Sequence, residues 1–123
     1  MVKLFLVLAS LSAFVAVALG AFAAHVLKTK LSPDLFNTFE VAVRYHMYHA
    51  LGIFVVALAM AQFPDLGVSP AGWLFLAGTV VFSGSLYVLS LTGARWLGAM
   101  TPVGGLCFLA GWAWLGWRVW KAM

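Results

Sequence analysis

The residues best suited to chemistry lie in one short segment, residues 37–49. Glu40 and Arg44 are four residues apart, the spacing at which opposite charges meet on one side of a helix. His46 and His49 are three apart, and His25 lies upstream. Histidines from facing helices can bind a metal or ligate haem. The segment is therefore a candidate for an ion pair, a ligand or ion site, or a histidine-bound cofactor.

The sequence lacks the pairings that catalysis requires. No general acid paired with a general base, and no nucleophile paired with a general base, is apparent. Ser83 and Ser85 lie in Phe-Ser-Gly-Ser-Leu-Tyr and not in a Gly-x-Ser-x-Gly nucleophile elbow. We therefore predict that the protein is not an enzyme, and we assign no catalytic residue, no metal ligand and no cofactor. The serines are expected to hydrogen-bond across helices.

The composition places this segment in a membrane. Of the 123 residues, 65% are hydrophobic and 8% are charged, whereas soluble domains carry about 25% charged residues. The net charge of +4 comes from bases at the ends of apolar segments, where they reach lipid headgroups. Nucleic acid is therefore not an expected partner. Cys107 is the single cysteine, so no intrachain disulfide can form.

Four apolar segments are long enough to span a bilayer. The expected helices cover about residues 4–27, 33–63, 70–91 and 102–120 of a single domain, 1–123. This predicts an all-α integral membrane four-helix bundle with both termini on the same side. The first segment is interpreted as an uncleaved helix, since it is too long for a signal core. Each end of the bundle has three bases, so the orientation of the termini is not predicted.

Ser/Thr-Pro pairs precede three of these helices. Ser32, Ser69 and Thr101 each fit a helix N-cap followed by proline at the first helical position. The third pair allows two interpretations, a helix start or a kink within a longer helix, and we favour the start.

Small residues indicate close helix packing, on which association in lipid depends. On the first helix they recur at every fourth position: Ser12, Ala16, Gly20 and Ala24. We expect this ridge to pack within the protomer, with a dimer interface as the alternative. On the last helix, Gly104, Gly105 and Gly111 have two interpretations, close packing or an unwound helix start that lines a cavity.

Antiparallel spans bring polar residues of all four helices toward one end of the bundle. The predicted polar cluster contains His25, Glu40, Arg44, Tyr45, Tyr48, His49, Ser83, Ser85, Tyr87 and Thr101. On a helical wheel Asn37, Glu40, Arg44 and Tyr48 form a stripe roughly 80° wide. Because charge in a membrane is costly, we predict that this stripe faces inward as a structural ion-paired cluster, with a ligand or ion site as the alternative. His46 falls on the opposite side of the wheel.

Four motifs then show a resemblance to a known family. They are Gly-Ala-Phe-Ala-Ala-His-Val-Leu at 20–27, the central motif at 39–51, Phe-Ser-Gly-Ser-Leu-Tyr at 82–87 and Met-Thr-Pro-Val-Gly-Gly at 100–105. The chain resembles the domain of unknown function 423 family, YgdD-like proteins related to animal transmembrane protein 256. The resemblance implies a small four-span protein of the bacterial inner membrane (a mitochondrial membrane if eukaryotic) and assigns no site residue. It also implies that glutamine is common at position 46, which leaves His25 and His49 as the candidate histidine pair.

The expected function is that of a non-enzymatic membrane component that self-associates or serves as an accessory subunit of a larger complex. Its expected partners are the lipid bilayer and a second copy or other membrane proteins. One alternative is a small transporter or channel that uses Glu40, Arg44 and His49. A second alternative is haem or metal binding through His25 and His49.

Overall fold

The computed structural model describes residues 1–123, which fold into four long helices without any strand. They are α1 (Val2–Lys30), α2 (Pro33–Gln62), α3 (Ser69–Thr92) and α4 (Thr101–Ala122). Short 3-10 turns, Pro64–Leu66 and Arg95–Ala99, precede α3 and α4. All four helices are long and apolar enough to cross a membrane. The predicted all-α four-span bundle with both termini on one side is confirmed.

Two helices contain a π-helical turn. It covers Ala23–Leu27 in α1 and Thr79–Ser83 in α3. The helix α1 continues to Lys30, past the expected end near residue 27. The helix α4 begins at Thr101, with Pro102 in its first turn, so the helix-start interpretation is confirmed. Proline is tolerated there because its missing N–H would have no intrahelical partner.

The three expected N-caps have different outcomes. The hydroxyl oxygen of Ser32 accepts a hydrogen bond from the N–H of Leu35 at 3.3 Å, so this cap is confirmed. The other two are wrong, because α3 and α4 are preceded by Val68 and Met100 and have no side-chain cap. The hydroxyl of Thr101 instead lies 2.8 Å from that of Ser85 on α3.

The interior is filled by small and aromatic side chains. Two glycines of α4 lie where it contacts α3. A side chain at Gly104 would meet the backbone of Phe82, and one at Gly111 would meet the ring of Phe75. Close packing is therefore confirmed at both positions. At Gly105 the ring of Phe82 would be 3.9 Å away, an ordinary contact. The main core joins all four helices through Phe5, Ala9, Ile53, Val56, Ala57, Ala71, Phe75 and Phe108.

The small-residue ridge of α1 packs against α2, as expected for packing within the protomer. Ala16 is fully buried, and a side chain at Gly20 would lie 3.3 Å from Val43. Ser12 is half-buried, whereas Ala24 is exposed and does not extend the ridge.

The outer surface is apolar over most of its length, which suits contact with lipid. Phe14 on α1 and Leu106 on α4 are among its most exposed side chains. At the end of α4, Trp117 and Trp120 are exposed, and the Nζ of Lys121 lies 5.7 Å from the ring centre of Trp117. Aromatic and basic side chains of this kind are typical of the membrane interface.

Candidate functional site

The inner face of α2 holds two buried histidines. His46 and His49 have exposed fractions of 6% and 4%. The Nδ1 of His46 lies 2.9 Å from the hydroxyl of Tyr87 on α3, and its Nε2 lies 3.0 Å from the hydroxyl of Ser12 on α1. One imidazole therefore joins three helices.

His49 uses both ring nitrogens inside the protein. Its Nδ1 donates to the carbonyl of Tyr45 at 2.7 Å, which leaves Nε2 to accept the indole N–H of Trp112 at 3.1 Å. The imidazole is stacked on Phe108, with the ring centres 3.5 Å apart and the planes 7° from parallel. A metal or haem iron at His49 would have to displace one of these two hydrogen bonds.

The serines of α3 also bond between helices, as expected. The hydroxyl of Ser83 donates to the carbonyl of Ala42 on α2 at 2.8 Å. Ser85 shares a hydrogen bond with Thr101 on α4. No buried side-chain nitrogen or oxygen in the protein lacks a hydrogen-bond partner. The polar groups of the interior therefore satisfy one another.

The outer face of α2 carries the stripe that was predicted to face inward. Asn37, Glu40, Arg44 and Tyr48 are all exposed, and Tyr48 has an exposed fraction of 53%. The prediction of an inward stripe is wrong. His46 does lie on the side of α2 opposite the stripe, but that side is buried and not outside the bundle as the inward stripe implied. A helical wheel shows which residues share a side of the helix but not which side faces the core. In α2 the side opposite the stripe packs into the core, with Phe39, Ala42 and the two histidines.

No ion pair forms between Glu40 and Arg44, although their spacing permits one. Neither the carboxylate nor the guanidinium has a hydrogen-bond partner in the chain. The predicted structural ion pair is therefore wrong within one protomer. The opposite charges of Glu40 and Arg44 therefore lie one helical turn apart on an exposed surface without forming an ion pair.

The depth of these charges follows from the bonds between helices. The Ser83–Ala42 and Ser85–Thr101 bonds place Glu40 level with the start of α4. The 22 residues of α4 measure about 33 Å, close to the hydrocarbon thickness of roughly 30 Å. Glu40 therefore lies near the membrane boundary, and Arg44 lies about 6 Å deeper.

His25 and His49 do not share a site. The Ser12–His46 bond fixes the relative depth of α1 and α2. Counted from that bond, His25 and His49 lie about 24 Å apart along the bundle. His25 is exposed, and no three metal-binding side chains of the chain lie together. The pairing of these two histidines around a cofactor is therefore wrong.

The cluster proposed for transport is not assembled either. Glu40 and Arg44 lie on the outer face of α2, whereas His49 is buried on the inner face. Next to His49, a groove of about 560 Å³ opens between α2 and α4. Its lining is mainly aromatic: Tyr45, Tyr48, His49, Phe82, Gly105, Phe108, Leu109 and Trp112.

Sequence reasoning missed two partners of the histidines, Ser12 and Trp112. Both had a signal. Ser12 interrupts an apolar run inside the small-residue ridge, where a hydroxyl needs a partner on the facing helix. Trp112 lies eight residues before Trp120, too deep for the membrane interface, so its indole N–H needs an acceptor inside the bundle.

Four apolar spans joined by interhelical hydrogen bonds define a small multi-pass helical membrane protein. Comparison with known sequences then places the chain more closely. A family model described as "Protein of unknown function (DUF423)" matches residues 19–105. The chain belongs to this family.

Curated relatives carry the name UPF0382 membrane protein. YwdK of Bacillus subtilis (strain 168) is 49% identical over 111 residues, which cover 89% of this chain and 90% of the relative. A protein of Staphylococcus epidermidis (strain ATCC 12228 / FDA PCI 1200) is 48% identical over 110 residues, 89% of each chain. No solved structure matches. The names support a membrane location and give no sign of enzymatic activity.

Proposed function

We propose that the protein is a non-enzymatic, multi-pass component of the bacterial inner membrane that acts by associating with another membrane protein. The proposed contact surface is the outer face of α2. The observation that carries the proposal is the pair of unpartnered charges on this face, Glu40 and Arg44. Charged side chains in spanning helices are rare and nearly always face protein or water, not lipid.

The energetics favour a protein partner over lipid. Insertion of one charged side chain at the centre of a spanning helix costs about 2.5–3.5 kcal/mol, and the cost falls toward the interface. Arg44 lies about one turn inside the boundary, so it can reach the headgroups only by extending its side chain. A partner that supplies opposite charges at this depth would remove the remaining cost.

The same face continues as an apolar surface across the membrane. From Tyr48 toward the C-terminus of α2, this face presents Leu51, Val55 and Leu58, all exposed. The face therefore combines a polar end and an apolar end that one partner helix could cover along its whole length. The interior offers no comparable surface, because its buried polar groups are satisfied within the chain.

This proposal is tested by extracting the protein from its membrane into polymer-bounded native nanodiscs. The mass and the protein composition of the particles are then measured. Particles with the wild-type chain should contain more than one protein chain in a fixed ratio. The double variant Glu40→Gln/Arg44→Gln should give particles with a single chain.

The matched control is Asp34→Asn/Arg95→Gln, which also removes one exposed acid and one exposed base at the same end of the bundle. It should keep the wild-type composition. A single chain in wild-type particles, or an unchanged assembly in the Glu40/Arg44 variant, would refute the proposal.

A further inference from the structure

We infer that the partner is a second copy of this chain, which docks with the outer face of its own α2 about a two-fold axis normal to the membrane. This inference rests on the proposed function and names the partner of the same surface. A two-fold interface buries the same patch on both copies, so the patch must be self-complementary.

The charges on this patch are self-complementary. One acid and one base lie on the same exposed stripe, so two copies bring two acids and two bases together with no net charge. Long side chains on a helix lean toward its N-terminus. Arg44 of each copy therefore extends toward the depth of Glu40, which lies about 6 Å nearer the N-terminus of α2. Each Arg44 guanidinium can then pair with the Glu40 carboxylate of the other copy.

The apolar part of the stripe fits the same arrangement. Leu51, Val55 and Leu58 follow Tyr48 at alternating spacings of three and four residues. Residues at this spacing pack between two helices that cross at about 20°, the common geometry in membrane bundles.

The depth of the charges in the bilayer determines whether the two copies lie parallel or antiparallel. In an antiparallel pair the charged end of one stripe would meet the apolar end around Leu58 of the other, and the charges would stay unpaired. In a parallel pair, groups of the same depth face one another. Only the parallel arrangement therefore pairs Glu40 with Arg44 between copies.

A charge-reversal experiment in liposomes tests direct pairing. The purified chain, with no other protein, is labelled at Met123→Cys in a Cys107→Ala background, and energy transfer between donor- and acceptor-labelled copies is measured at high lipid excess. Wild-type copies should give strong transfer. Glu40→Arg alone and Arg44→Glu alone should each lower the apparent association constant at least about tenfold, since like charges then face one another.

Two rescues distinguish pairing from general damage. Donor-labelled Glu40→Arg mixed with acceptor-labelled Arg44→Glu should restore transfer, because the charges are complementary only between the two variants. The swapped chain Glu40→Arg/Arg44→Glu should associate with itself. Wild-type self-association without rescue in the mixture would overturn the pairing.

The result also separates this inference from the proposed function. If native nanodiscs contain a different protein whose presence depends on Glu40 and Arg44, while the purified chain gives no energy transfer, the inference fails and the proposed function stands. If neither experiment shows association, both fail.

Discussion

The two faces of α2 carry polar side chains from the same segment, residues 37–49, but in opposite states. On the inner face, His46 and His49 are buried and each is hydrogen-bonded through both ring nitrogens. On the outer face, Glu40 and Arg44 are exposed and unpaired. In lipid, a satisfied polar group stabilises the fold, whereas an unsatisfied one favours a further contact. The segment is thus divided between a structural face and a face that we propose contacts another protein.

The largest predicted effect is on the inner side of the bundle, at Gly104. Gly104→Ala would drive a methyl group into the backbone of Phe82, so α3 and α4 would have to separate. We expect a loss of about 3 kcal/mol in the free energy of unfolding, measured by SDS titration or steric trapping. Gly116 in the same helix has no atom within 4 Å of an added methyl group, and Gly116→Ala should not destabilise the protein. Equal effects at the two glycines would contradict the packing described.

The second-largest loss of stability is predicted for removal of the His49 ring. His49→Ala removes the stacking on Phe108 and leaves the indole N–H of Trp112 without its acceptor. We expect a loss of about 2–3 kcal/mol in the free energy of unfolding. The neighbouring outer-face variant Tyr48→Ala should cost less than about 1 kcal/mol in the monomer. A larger effect at Tyr48 than at His49 would reverse the assignment of the two faces.

A smaller effect is expected at His46. His46→Leu leaves the hydroxyls of Ser12 and Tyr87 without their bridging partner, at a cost of about 1–2 kcal/mol in the free energy of unfolding. His46→Gln should recover much of this loss, because an amide offers both a donor and an acceptor. If leucine and glutamine were equally destabilising at this position, the bridge would not be the source of the effect.

The smallest effect on monomer stability is predicted for the outer face. In a double-mutant cycle with Glu40→Gln and Arg44→Gln, the coupling energy in the detergent-isolated monomer should be below about 0.5 kcal/mol, since no ion pair forms within one chain. The same variants should abolish association in the membrane. A coupling of several kcal/mol in the monomer would show a buried intrachain pair and contradict the outward placement.

Length and hydropathy were enough to predict the four spans, and Gly104 and Gly111 correctly indicated close packing. Length and hydropathy could not predict which side of α2 packs into the core. Its charged stripe and its histidine-bearing side are both partly polar, and the cost of charge in lipid favoured the wrong side. That argument takes no account of the proposed partner protein. The side-chain hydrogen-bond partners of His46 and His49 lie 34 to 63 residues away in sequence, so only the packed structure shows which side chains they are.

If protein covers the outer face of α2 in the membrane, as we propose, a spin label on that face is shielded from oxygen dissolved in lipid. Labels are placed singly at Tyr48→Cys on α2 and at Phe14→Cys on α1, in a Cys107→Ala background. The Ser12–His46 bond puts these two positions within about one helical turn of the same depth. Both are exposed in the single chain, 53% and 72% respectively. We expect lipid-dissolved oxygen to reach the label at position 14 freely and the label at position 48 poorly. Equal oxygen access at the two positions would show that no protein covers the outer face of α2.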